Sequence, residues 1–279
     1  MQKAKFNILA ILLLFISISI LQGCKDDTVT NPPEQTAVDS TGLTRLGSAY
    51  ALGGAANVVL FTEEPLHTGY NKIYAMLHDS TTGLLIEDAH VLPQLTDHTL
   101  GGPVEGTPEE ANTKGLFPFA VIFLSPQAVA DNVMHWNIKI GVHNHGHQGE
   151  PYGTASFGGL HIADNAGKFV EKDLPGGPTI YLSYINPANP VIGLNNFEFL
   201  INKTTDTVNF SPDTSYSIAL KPVLLLNGTL STGNINPVPA GELRHYTGKV
   251  NFTAAGNWRI NMYMTKPGFS DSTYFDIGF

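Results

Sequence analysis

One short run in this 279-residue chain has the residue types and spacing for metal chemistry. His143, His145 and His147 occupy alternate positions of "HNHGHQGE", and Glu150 closes the run. In an extended segment alternate side chains share a face. Three imidazoles can then supply three ligands of a tetrahedral Cu or Zn ion, with Glu150, His161 or Asp164 as the fourth. Against this, Gly146 and Gly149 loosen the run, and short His-rich tracts also occur as solvated hairpins with no metal role. Both readings depend on where the chain places the run.

The elements that must position it come from an internal repeat. "NVVLFTEEPLHTGYNKIYAMLHD" in the first half aligns with "YLSYINPANPVIGLNNFEFLINK" in the second, so that Gly69 and Asn71 fall on Gly193 and Asn195. Further on, "WNIKIGV" falls on "WRINMYM", and these hold the chain's two tryptophans, Trp136 and Trp258. From each Trp every second residue is apolar, the mark of a strand with one face on a core. Helix signals are scarce, Gly and Pro punctuate short apolar runs, and the pattern predicts an all-β protein. Each copy has the length and turn spacing of an immunoglobulin-like β-sandwich. Gly69, Asn71, Gly193 and Asn195 are expected to serve tight bends, and the two tryptophans to anchor cores. The repeat then places the His run in a hairpin after the Trp strand of copy one, longer than its counterpart "KPGFSDS" at 266–272. Loops of that kind are where a rigid scaffold presents binding residues.

The N-terminus carries a second signal. Lys3 and Lys5 precede an apolar run from Ile8 to Leu21, a secretory leader by length and flanks. It ends in "LQGC", which resembles the lipobox of bacterial lipoproteins and makes Cys24, the sole cysteine, the lipidated residue. Acyl chains on Cys24 would hold the protein to a membrane without a spanning helix. "CKDD" resembles the export signal of surface-exposed lipoproteins, so the expected location is the outer membrane, with the outer face favoured. The expected organisation is a signal peptide over 1–23, Cys24 and a polar tether over 24–46, and sandwiches over 47–174 and 175–279. After residue 23 the chain holds 13 basic and 24 acidic residues. That balance lacks the basic footprint of a nucleic-acid binder.

The Gly-x-Asn bend, the Pro-bearing strands "EDAHVLPQLTDHTLGGPVE" and "KPVLLLNGTLSTGNINPVP", and "GNWRI" together resemble the YtkA-like domain, an immunoglobulin-like module of bacterial envelope proteins. The resemblance implies two such domains and a role in the envelope. Members of that family and related copper-handling sandwiches often carry Met and His after the Pro. Here those places hold Leu92, Gln94, Leu95 and His98 in copy one, and Leu224, Leu226 and Leu230 in copy two. Leucine offers no lone pair, so the family's metal chemistry does not transfer, and His90 and His98 read as surface or turn histidines.

An enzyme reading competes. His143, His145 and Glu150, with Gly158 one place late, resemble the first motif of cupin-like metalloenzymes, where an open metal position supports oxygen or hydrolytic chemistry. The second motif would need Gly233, Pro239, His245 and Asn251, which have the wrong spacings and cut across the repeat. Ser125, Asp131 and His135 are close in sequence without a nucleophile elbow around the serine. The sequence therefore points to a non-catalytic binding or structural module of the envelope, with Cu or Zn in the copy-one hairpin as the sharper reading. A protein or glycan partner with no metal is the alternative.

Overall fold

The computed structural model describes residues 38–98, 100–127 and 136–279. The leader, Cys24, most of the tether, Asp131 and His135 lie outside the described residues.

The first copy runs β1 (Thr44–Ala51), β2 (Ala56–Thr62), β3 (Gly69–Asp79), β4 (Leu85–Ile86), β5 (Ala89–Asp97), β6 (Leu100–Gly102), β7 (Val104–Glu105), β8 (Phe117–Phe123), β9 (Trp136–Asn144) and β10 (Tyr152–Phe157). One sheet has the order β1-β2-β3-β8-β7 with β4 beside β3, and the other is β10-β9-β5-β6. The second copy runs β11 (Phe169–Asp173), β12 (Thr179–Asn186), β13 (Gly193–Thr204), β14 (Ser211–Pro212), β15 (Ser217–Leu224), β16 (Thr229–Leu230), β17 (Ile235–Ala240), β18 (His245–Phe252), β19 (Asn257–Lys266) and β20 (Phe269–Gly278). Its sheets are β11-β12-β13-β18-β17, with β14 beside β13, and β16-β15-β19-β20. Adding ten to each strand number of copy one gives copy two in sequence and in space. The protein is all-β, with two tandem immunoglobulin-like sandwiches, each closed over its own core.

The alternation read from the Trp strands is what builds those cores. Trp136, Ile138, Ile140 and Val142 are buried in β9, and Trp258, Ile260, Met262 and Met264 in β19. Each such side chain adds roughly 1.5–3 kcal/mol of burial. Both indoles find a hydrogen-bond partner at the core's edge, as a buried Trp N–H must. Trp136 Nε1 donates to the Ser125 carbonyl at 3.1 Å, and Trp258 Nε1 to the Ala254 carbonyl at 2.9 Å. Ser125 is thereby a partner of the core Trp.

The Gly-x-Asn bends are the same device twice. Asn71 Nδ2 donates to the His67 and Gly69 carbonyls at 2.7 and 2.8 Å while its Oδ1 accepts the His67 N–H at 3.0 Å. Asn195 does the same with Val191 and Gly193, at 2.7, 2.8 and 2.9 Å. Each amide is buried and satisfies the backbone of the bend entering its strand. Gly69 and Gly193 have φ of 90° and 106°, a region that side chains resist. Both glycines pair with a phenylalanine of the neighbouring strand in the sheet, Phe123 of β8 and Phe252 of β18.

Two boundaries move. β1 starts at Thr44, inside the stretch read as tether to residue 46. β11 pairs with β12 over Phe169–Asp173, so the second sandwich begins six residues before the expected 175. Both are edge strands with little buried surface, so neither carries the clear alternation that marks a central strand.

Candidate metal centre

β9 and β10 form a hairpin joined by residues 145–151, whereas β19 and β20 turn through Pro267 and Gly268 alone. The strand register fixes what meets at the base of the longer hairpin. His143 stands opposite His90 of β5 on one side and Tyr152 of β10 on the other. Residues of odd number on β9 and even number on β5 face away from the core, so both imidazoles share the outer face of the sheet. His145 folds back from the first turn of the hairpin onto this pair.

The result is a cluster of His90, His143 and His145, each partly buried, whose ligand atoms lie within 4.8 Å of one another. His145 Nε2 is 3.3 Å from His143 Nδ1. Two nitrogens on a tetrahedral ion at 2.0–2.1 Å stand about 3.3 Å apart, so this edge already has the separation a bound ion imposes. The rings meet edge to face, with centroids 4.5 Å apart for His90 and His145 and 4.7 Å for His143 and His145.

Carboxylates sit behind each ring. His145 Nδ1 donates to Asp88 Oδ1 at 2.7 Å, which leaves the Nε2 lone pair aimed into the cluster. A second hydrogen bond of this kind is how proteins fix the tautomer of a metal-bound histidine. Glu150 lies 3.9 Å from His143 Nε2 and Glu109 lies 3.8 Å from His90 Nε2, both looser than the Asp88 contact. Asp88 and Glu109 are brought there by backbone pairing beside the start of β5, where Ala89 N–H donates to the Glu109 carbonyl at 3.2 Å. Among the described residues no fourth side chain joins the three histidines. One position of a four-coordinate ion would stay open.

Of the expected ligands, His143 and His145 come together in this cluster, and His147 and His161 do not join them. After Asn144 the chain leaves the strand and turns, so alternation no longer sets the facing of His147. Its Nδ1 donates to Asp79 Oδ2 at 2.7 Å instead. The Thr82 backbone N–H, chiefly, together with His147 and Thr81, holds the Asp79 carboxyl down at about 2. His161 follows β10 at the Trp136 end of the sheet, beside the Ile162–Gln127 bridge. Seven residues of β9 separate that end from His143, about 23 Å of strand. Asp164 lies beyond it, also exposed. Glu150 stays near the cluster as a carboxylate behind His143 rather than as a ligand.

His90, read as a surface or turn histidine, is the residue the sequence missed. The signal that finds it is the pairing of β5 with β9, which a single strand's alternation does not show. His98 does sit in a turn, between β5 and β6. The second cupin motif is not assembled: Gly233, Pro239, His245 and Asn251 belong to the second sandwich, while His143 and His145 belong to the first.

Comparisons with known proteins add little. No family model matches the chain, and no curated protein matches it. Among solved structures, the Yersinia pseudotuberculosis adhesin InvE is 14% identical with a TM-score of 0.23, over 83% of this chain and 60% of that one. A structure described as pT26-6p is 9% identical with a TM-score of 0.23, over 86% of this chain and 65% of that one. The chain thus spans less than two thirds of either neighbour's length, and likenesses this low carry no argument about its role.

Proposed function

We propose that the protein is a non-catalytic module of the bacterial envelope, anchored through Cys24, whose first sandwich binds Zn(II) or Cu(II) through His90, His143 and His145. The observation that supports this most is the Asp88–His145–His143 chain, which presents a fixed lone pair at the separation a tetrahedral ion needs. The donors are three imidazoles with no sulfur, a set that suits Zn(II) or Cu(II) rather than Cu(I). Met262 and Met264, on β19, the repeat's equivalent of β9, are fully buried in the second core and offer no ligand. The YtkA-like resemblance belongs to the same proposal, and the tandem sandwiches are compatible with it. A protein or glycan partner remains the reading without a metal.

Calorimetric titration of the full chain with Zn(II) and Cu(II) tests the proposal. One ion per chain at micromolar affinity or tighter is expected, about 8 kcal/mol of binding. His90→Ala and His145→Ala should each weaken it at least tenfold, and His147→Ala should leave it unchanged. Binding retained in His90→Ala, or lost in His147→Ala, would place the metal elsewhere in the hairpin.

A further inference from the structure

A further cluster of titratable groups lies where the two sandwiches meet. His245, at the start of β18, is 6% exposed. Its Nδ1 is 2.7 Å from Glu198 Oε1 on β13 of its own sandwich. Its Nε2 is 2.9 and 3.0 Å from the two carboxylate oxygens of Glu105 on β7 of the other sandwich. A carboxylate only accepts, so both ring nitrogens must carry hydrogen, and the ring that fits this geometry is the imidazolium. Neutral imidazole has a single N–H. It would turn a lone pair toward one of two partly buried carboxylates.

Every element packed here contributes. Tyr70 of β3 sets its ring edge to face with His245, centroids 5.8 Å apart. Lys72 of β3 adds positive charge near Glu198, and Asn186 Nδ2 donates to Glu198 Oε2 at 2.6 Å. Glu242, on the β17–β18 turn, lines the shallow depression beside His245. Burial opposes charge on the ring, but the hydrogen bonds it donates to Glu105 and Glu198 outweigh it and hold its pKa up at about 9. His245 in return holds the Glu198 carboxyl below its usual range. Tyr70 is pushed up beyond the ordinary phenol range, by burial first and then by Glu105.

Backbone and neutral side-chain contacts also join the sandwiches and their connecting segment, among them Asn165 N–H to Thr68 Oγ1 at 2.9 Å. The connecting segment is stitched to both: Thr68 N–H donates to the Ala163 carbonyl at 2.9 Å, and Asp276 N–H to the Gly167 carbonyl at 2.8 Å. Away from that segment, Gly101 N–H donates to the Thr207 carbonyl at 2.9 Å, with the two backbones so close that a Cβ on Gly101 would collide with Val208.

We propose that His245 is a proton-operated lock between the two sandwiches, closed while its Nδ1 donates to Glu198 and its Nε2 donates across the junction to Glu105, and released when one N–H is lost to solvent. Released, Glu105 and Glu198 face each other without a shared cation, and the Gly101–Thr207 contact parts as the sandwiches turn about the segment over 163–168. The sign of the pH dependence follows from the raised pKa. The lock's contribution to stability is complete below the ordinary histidine value of about 6.5 and is lost as pH rises through about 9. The lowered Glu198 pKa adds a second loss only in acid, as pH falls below about 4.5.

The test is a spin-label distance between Ser156→Cys in the first sandwich and Ala255→Cys in the second, in the full chain with Cys24→Ser. At pH 7 a single narrow distance is expected, broadening as pH passes 9. His245→Gln should be broad at pH 7 and unchanged up to pH 9.5. Glu105→Gln, which removes one charge, should move the broadening of the His245 protein at least one pH unit lower. A narrow distribution from pH 7 to 9.5 in all three proteins would overturn the lock. So would broadening that His245→Gln shows at the same pH as the parent.

Discussion

The two copies share a frame and differ at one end. In copy two the register pair equivalent to His90 and His143 is Ser217 and Thr265, and the place of His145 is taken by Pro267. The frame residues, by contrast, hold station: Trp136 with Trp258, Asn71 with Asn195, Gly69 with Gly193. A sandwich built from alternation, a core Trp and one amide-capped bend therefore leaves its hairpin ends free to vary. Copy one uses that freedom to place three imidazoles at an exposed rim, and copy two closes the same rim with a two-residue turn. Among the described residues the histidine cluster accordingly lies in the first sandwich.

The comparison breaks first if the cores are not equivalent. Trp136→Ala and Trp258→Ala should each cost about 4 kcal/mol, the usual penalty for emptying an aromatic site, and agree within about 1 kcal/mol. Denaturant unfolding of the two variants checks this. A loss in one sandwich alone would mean that the shared frame does not share its energetics. The comparison sharpens if copy two is given part of the site. Ser217→His with Thr265→His supplies the cross-strand pair but no counterpart of His145 or Asp88. Titration should show any second Zn(II) bound at least about a hundredfold more weakly than the first, about 2.7 kcal/mol. Equal affinity would mean that the hairpin contributes nothing. The smallest effect is expected for His147→Ala, which removes one partly exposed hydrogen bond to Asp79. A stability loss below about 1 kcal/mol should follow, because the backbone N–H groups of Thr81 and Thr82 still hold the Asp79 carboxylate. That loss should shrink as pH falls through about 2, where Asp79 takes up its proton.

Most of the frame was legible because it repeats. A strand facing a core writes its burial pattern every second residue, and two copies of the pattern around two tryptophans left little freedom in the fold. The edge strands β1 and β11 were not legible, since little of either is buried. At the hairpin, adjacency along one strand led to His143, but His90 enters through pairing with a strand some fifty residues earlier. His147 failed for the opposite reason: alternation was extended past Asn144, where the strand has ended. The junction was invisible from the sequence. His245 looked like a member of an unrelated motif, and nothing local to Glu105 signals that it reaches a second domain.

The central claim is that the ion sits between His90, His143 and His145. The most direct measurement is anomalous diffraction at the zinc edge from crystals of the full chain grown with one equivalent of Zn(II). A single peak about 2.0–2.1 Å from one nitrogen of each of these three rings, with Asp88 still bonded to His145, is the expected result. A peak on His147 and Asp79, or none in the first sandwich, would contradict it.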